Sequence, residues 1–138
     1  MKERRLVSTG TAWEARNGYS RVVRVGPHVW TAGTLPTNDA GDVVHADSPY
    51  RQTLAALEKL ERAMGEVGAT RADVVRTRLY VTQIRFEAEV GRAHKEFFGD
   101  AMPCATMVEV AALASPLAMI EVEVEAYVGA DRGGVDDR

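Results

Sequence analysis

Residues 120–128 alternate between apolar and polar side chains without interruption. The apolar residues are Ile120, Val122, Val124, Ala126 and Val128, and the polar ones are Glu121, Glu123, Glu125 and Tyr127. A period of two over nine residues predicts a β-strand with one buried face and one face turned away from the core.

A spacing of three and four residues predicts a long helix in the first half of the chain. Its apolar stripe consists of Leu54, Leu57, Leu60, Met64 and Val67. Asp47 or Ser48 is suited to cap the start of this helix, and Pro49 to its first turn. Gly68 is suited to end it, because glycine adopts the left-handed conformation common after a helix.

Five further elements are predicted around this helix. A hairpin joins strands at 19–25 and 28–33 across the Gly26-Pro27 turn, and residues 73–81 form another strand. A second helix covers residues 86–98, with Phe86, Val90, Ala93 and Phe97 on one side, and a strand follows Pro103.

The resulting order is β-β-α-β-α-β-β, which indicates an α+β fold. Each helix has a single apolar stripe, so we expect a mixed sheet with both helices on one face. The other face is then left to solvent or to a partner subunit. Residues 1–10 and 129–138 are predicted to be tails, and residues 11–128 a single domain.

Composition narrows the function classes. The 138 residues carry a formal net charge of −3, which argues against general nucleic-acid binding. No apolar run is long enough to cross a membrane, and no signal peptide is evident, so a cytoplasmic location is expected. The single cysteine, Cys104, is expected to be a buried, inert thiol.

No phosphate-binding glycine loop or serine-nucleophile motif is present, and we expect no cofactor. His28, His45 and His94 lack metal-ligand spacing, so no metal site is expected and surface or loop positions are favoured.

The three glutamates of the last strand fit two interpretations. Residues two apart on one strand face are about 7 Å apart, a separation that some acid–base carboxylate pairs use. Cross-strand ion pairs explain the same charges more simply, although one glutamate could still be functional. The candidate partners are Arg21, Arg24, Arg76 and Arg78.

An ordered set of segments resembles the RidA/YjgF family, which is also labelled L-PSP endoribonuclease. The matching segments are residues 17–26, 29–34, 68–69, 73–81, 97–98, 108–110 and 120–123, with Gln52, Pro103 and Leu113. The resemblance implies a chorismate-mutase-like fold and a homotrimer with small-molecule clefts at the subunit boundaries. It also implies hydrolysis of reactive imines and enamines to keto acids and ammonia.

The resemblance further implies a set of cleft residues. Glu121 aligns with the family's cleft glutamate and would orient a water, Tyr19 would line the cleft, and the Ala32-Gly33 backbone would contact ligand. Deaminase members carry an arginine for the substrate carboxylate two residues after the proline that precedes the penultimate strand. That position is Ala105 here.

Two other family positions also differ. Met107 stands where a cysteine is often found, and the asparagine of some members falls at Gly91. Three functions follow from these residues: a weak or atypical imine deaminase, a non-catalytic metabolite-binding trimer and, least favoured by the acidic charge, a ribonuclease.

Overall fold

Six strands and three helices make up the computed structural model, which describes residues 3–131. The strands are β1 (Arg4–Val7), β2 (Val22–Val25), β3 (His28–Thr31), β4 (Val74–Val81), β5 (Cys104–Glu109) and β6 (Ile120–Tyr127). The helices are α1 (Ala12–Asn17), α2 (Pro49–Gly65) and α3 (Glu87–Phe98).

All six strands belong to one sheet, in the order β1-β2-β3-β6-β4-β5. The β4–β5 pair is parallel and every other neighbouring pair is antiparallel. The mixed α+β architecture, the hairpin and the two long helices are therefore confirmed.

The N-terminal region differs from the expected tail. Residues Arg4–Val7 form β1, which pairs antiparallel with β2. Three of its four residues are exposed, so this edge strand shows little of the apolar alternation from which a strand is recognised.

Helix α1 was also missed. Its sequence signal is a capping box, in which the Thr11 side chain accepts from the Glu14 N–H and the Glu14 carboxylate accepts from the Thr11 N–H. Six residues are too few to show a helical apolar period. Residues 132–138 of the predicted C-terminal tail lie outside the described part of the chain.

The end of α2 is earlier than predicted. The helix stops at Gly65, and residues 66–68 continue as tight turns whose N–H groups bond to carbonyls three residues back. Gly68 has the expected left-handed conformation, with a φ of 80°. The sequence therefore predicted the glycine's conformation correctly and placed the helix end three residues too late.

The core lies between the sheet and the helices α2 and α3. The apolar residues of β6 from Ile120 to Ala126 are buried, as predicted. They meet Leu57, Leu60 and Met64 of α2 together with Val90 and Phe97 of α3. Burial of these faces fixes which side of each strand points inward.

Among residues 3–131, no helix covers the opposite face of the sheet over β4–β6. Its exposed large apolar residues include Leu6 of β1 (58% exposed), Trp30 of β3 (43%) and Tyr127 of β6 (40%). Exposed apolar residues sharing one face are typical of an interaction surface. We call this side the open face.

Cys104 is exposed, which contradicts the expected buried thiol. It lies on β5, an edge strand of the sheet, opposite Arg76 of β4. An edge strand has a neighbouring strand on one side only. The apolar residues beside Cys104 therefore do not place this cysteine in the core. Separately, none of the helices within residues 3–131 is long and apolar enough to span a membrane.

Gln52 supplies a test of how the loops are held to α2. Its buried side chain donates to the carbonyls of Val44 and Leu117 and accepts from the Met119 N–H at 2.8 Å. We expect Gln52→Leu to lower the free energy of unfolding by about 3 kcal/mol, because these backbone groups lose their partner. Urea denaturation measures the change.

The matched control is Arg51→Leu at the neighbouring exposed position, where a change within about 0.5 kcal/mol is expected. Equal effects of the two substitutions would contradict the role given to Gln52.

Candidate functional site

The three glutamates of β6 do not share one environment. Glu125 and Glu123 lie 2.9 and 3.9 Å from Arg78 Nη1, and Glu123 also accepts from the Tyr80 hydroxyl. Glu121 forms no ion pair within 4 Å among residues 3–131. The ion-pair interpretation thus holds for two of the glutamates and leaves the third available for chemistry.

The other candidate arginines have different partners. Arg21 pairs with Glu14 rather than with β6, and Arg24 donates to the carbonyls of Gly26 and Val67. Arg76 lies opposite Glu125 in the register but forms no ion pair with any described residue.

Arg21 anchors the strand end beside Glu121. Its Nη1 donates to the Gly33 carbonyl at 2.7 Å and to Thr34 Oγ1 at 3.0 Å, and its Nη2 lies 3.4 Å from Glu14 Oε2. Arg21 is only 4% exposed, and its Nε has no hydrogen-bond partner among the described residues. The buried Arg21 guanidinium therefore holds residues 33–34 in place through these hydrogen bonds.

Gly33 and Glu121 are in close approach. A Cβ on Gly33 would lie 2.9 Å from Glu121 Oε1 and 3.0 Å from its Cδ. The Gly33 N–H donates no hydrogen bond to a described residue, while both neighbouring N–H groups are bonded. Glycine thus permits a free amide and a carboxyl group to lie side by side.

Tyr19 and Ala32 lie in the adjoining groove, which has a volume of about 690 Å³. Its walls include Leu6 and Trp30 of the open face and Glu14 of α1. The Tyr19 ring centroid is 5.6 Å from the Arg21 guanidinium carbon, so the ring covers the buried cation. Of the four predicted residues on this side, Tyr19 and Ala32 line the groove, whereas Gly33 and Glu121 approach each other next to Ala32 and do not line it.

The electrostatics distinguish Glu121 further. Burial raises its pKa above the ordinary value of 4.5, nearby Arg21 opposes this, and Glu123 adds to it. A carboxyl group whose pKa is raised by burial is better suited than an exposed one to exchange a proton with a bound molecule.

The remaining two predicted residues lie elsewhere. Met107 pairs with Leu79 and packs against the core, while Ala105 pairs with the buried Thr77, whose hydroxyl contacts His94 of α3. Cross-strand partners share a face of the sheet, so both residues are on the helix side. Glu121 is on the open face, and one chain therefore does not unite all six residues.

His94 is half-buried, contrary to a simple surface position. His28 is exposed and stacks on Trp30, and His45 lies in a loop. Within the described range, no three His, Cys, Asp or Glu residues are grouped so as to hold a metal ion.

A family model described as Endoribonuclease L-PSP matches residues 9–128. The chain belongs to this family, the YjgF/RidA family. A crystal structure of a YjgF/YER057c/UK114 family member from Mycobacterium tuberculosis is 46% identical, with a TM-score of 0.83, and the match covers 91% of this chain and all of the other.

Two further relatives extend this similarity. An uncharacterized protein of Streptomyces coelicolor is 38% identical over 91% of this chain and 93% of its own. A RutC family protein of Pyrococcus abyssi is 31% identical over 79% of this chain and 85% of its own. Neither name assigns a reaction.

Sequence reasoning missed two residues of this site, Arg21 and Glu14. Arg21 was considered only as an ion-pair partner for β6. The sequence signal for Glu14 was its place in the capping box that begins at Thr11. Neither signal shows that α1 folds back onto β2.

Glu14→Gln tests whether the buried pair stabilises the site. Burial opposes ionisation of Glu14, but hydrogen bonds from Thr9, Thr11 and Ser8 outweigh it and lower its pKa from 4.5 to about 2. This lowering corresponds to about 3 kcal/mol of stability, present above pH 4.5 and lost as the pH falls towards 2. The variant should be less stable by about that amount at pH 7.

Unfolding free energies measured between pH 7 and pH 3 check this expectation. The deficit of Glu14→Gln should shrink below pH 4.5, whereas Glu89→Gln, at an exposed position on α3, should stay close to the parent protein throughout. A deficit independent of pH would contradict the argument.

Proposed function

We propose that this protein hydrolyses small imines or enamines to carbonyl compounds and ammonia. Glu121 supports the proposal most directly, because it is the one β6 glutamate without an ion-pair partner among the described residues. It is half-buried, its pKa is raised by burial, and its carboxyl group lies close to Gly33, whose N–H donates to no described residue. A carboxyl group and an amide donor side by side suit addition of water to a C=N bond.

The roles follow from the chemistry of each group. The Glu121 carboxylate takes a proton from water as the water oxygen bonds to the imine carbon, and it passes this proton to the nitrogen as the C=N π bond breaks. The resulting carbinolamine loses ammonia as its hydroxyl proton departs and the carbonyl forms. The Gly33 N–H donates a hydrogen bond to an oxygen that gains negative charge or to a lone pair of the substrate. The Tyr19 ring covers the reacting group.

We further propose that the complete cleft forms between subunits of a homotrimer. The uncovered apolar residues of the open face support assembly. Glu121 and Ala105 lie on opposite faces of the sheet, so a cleft containing both requires two chains. The small-molecule ligand would then contact Glu121 of one subunit and the Ala105 edge of its neighbour.

A binding role without turnover is the second candidate. Ala105 favours it, because a methyl group offers no charge to hold a substrate carboxylate where the resemblance places an arginine. Cleavage of RNA is less well supported, since the formal net charge of −3 provides no general attraction for a polyanion.

Glu121→Gln separates the two candidates. We expect at least a hundredfold loss of carbonyl formation from small imines generated in situ, both uncharged ones and carboxylate-bearing ones such as 2-iminobutanoate, since the amide cannot accept the water proton. A coupled dehydrogenase assay measures the ketone or keto acid that is formed. Glu123→Gln is the matched control on the same strand face and should retain most activity.

The Glu121→Gln variant should also remain folded. Because the folded-state pKa of Glu121 is raised, its contribution to stability is complete below pH 4.5 and falls as the pH rises through the folded-state value. Glutamine avoids this loss at pH 7. Absence of turnover in the folded parent protein would sink the hydrolase proposal and leave ligand binding.

Gly33→Ala tests the close approach. The added Cβ must displace the Glu121 carboxyl end, which lies 2.9 Å away and can rotate. We therefore expect activity to fall at least tenfold while the melting temperature changes little. The control is Gly65→Ala, where no atom lies within 4 Å of the added Cβ. Full activity in Gly33→Ala would contradict the assigned geometry.

A further inference from the structure

The helix side of the sheet carries a second polar pair that the proposed reaction does not use. His94 Nε2 of α3 lies 2.8 Å from the hydroxyl oxygen of Thr77 on β4. Thr77 is fully buried, and the His94 ring packs against Phe98 with a centroid distance of 4.7 Å. The imidazole is therefore held in one orientation by a hydrogen bond and a ring contact.

The other ring nitrogen of His94 is unengaged. Its Nδ1 makes no hydrogen bond with any of residues 3–131, and no carboxylate in that range lies within 4 Å of the ring nitrogens. Burial lowers the pKa of His94 below 6.5. At neutral pH the ring is an uncharged hydrogen-bonding group rather than a cation.

Small residues leave the imidazole uncovered. Ala105 pairs directly with Thr77 across the parallel β4–β5 ladder, and it is exposed. Gly91 lies one helical turn before His94, and a Cβ there would meet only Glu87 Oε1, at 3.9 Å. Two residues that project nothing beyond a methyl group thus lie near the His94–Thr77 pair, one across the ladder from Thr77 and the other one turn before His94, with the Glu87 carboxylate close to the latter.

We propose that His94, backed by Thr77 and flanked by Ala105 and Gly91, is a subsite for a neutral carbonyl or amide group. The protein then prefers uncharged carbonyl compounds and imines to those bearing a carboxylate. This inference deepens the proposed function by naming its substrate class. Hydrolysis of the bound imine rests on the proposed function, whereas the binding preference does not.

Charge decides the preference. A carboxylate entering this subsite gives up water without meeting a cation, and it approaches the Glu87 carboxylate. Arg92 of the same helix is directed elsewhere, with its guanidinium 4.0 Å from the centre of the Tyr50 ring. A neutral amide or ketone loses less hydration and satisfies the free Nδ1 with one hydrogen bond.

Binding of unreactive carbonyl compounds tests the subsite without requiring turnover. Pyruvamide and pyruvate are each titrated into the protein. Calorimetry measures their affinities, and NMR measures the shifts of the His94 ring signals. We expect pyruvamide to bind at least tenfold more tightly and to shift the His94 signals. His94→Ala should abolish the preference, and His94→Gln, which keeps a hydrogen-bonding amide, should retain part of it.

Ala105→Arg supplies the converse test. An arginine beside Thr77 gives a carboxylate its missing partner, so this variant should bind pyruvate at least tenfold more tightly than the parent protein does. Ala40→Arg adds the same charge at an exposed loop position and should change neither affinity.

The subsite is overturned if pyruvate binds the parent protein as tightly as pyruvamide, or if pyruvamide fails to bind. An unchanged preference in folded His94→Ala and His94→Gln also overturns it. These results are independent of Glu121→Gln, because no bond is broken in the assay. The hydrolysis proposal can therefore fail while the subsite proposal holds, and the subsite proposal can fail while the hydrolysis proposal holds.

Discussion

The candidate site depends on a buried ion pair that joins the N-terminal segment to the sheet. The Glu14 carboxylate accepts hydrogen bonds from Thr9 and Thr11 and faces Arg21. Burying two charges is costly unless their hydrogen-bonding capacity is used. Here the threonines satisfy the carboxylate, and Arg21 uses its remaining donors on the Gly33 carbonyl and on Thr34. The position of α1, the end of β3 and the surroundings of Glu121 are thereby linked.

This linkage explains how a short, poorly patterned N-terminus contributes to function. Strand β1 is an exposed edge, and α1 has only six residues, so neither has much local stability. Their shared anchor is the Glu14 carboxylate, which closes the capping box and neutralises Arg21. The groove beside Tyr19 exists because α1 is held against the sheet in this way. A local sequence motif therefore becomes the wall of a tertiary site.

The sheet divides the remaining chemistry between two faces. Glu121, Gly33 and Tyr19 gather at the open face, while Ala105 and the His94–Thr77 pair lie towards the helices. Strand alternation enforces this division, since neighbouring positions on a strand point to opposite sides. The cleft that we propose between subunits draws residues from both groups, and it therefore needs more than one chain. The open face, with its exposed apolar side chains, is the surface available for that purpose.

The sequence alone determined most of the fold, because periodicity reports which face of each element is buried. It predicted β6 from strict alternation and α2 from its apolar stripe, and both are confirmed. The alternation itself could not separate Glu121 from Glu123 and Glu125, which occupy equivalent positions in the pattern, and only the family resemblance pointed to Glu121. The tertiary structure supplied the physical difference: the Arg78 side chain reaches two of the three carboxylates, and the third lies beside Gly33. Burial and cross-strand partners are set by distant parts of the chain, so no local pattern contains them.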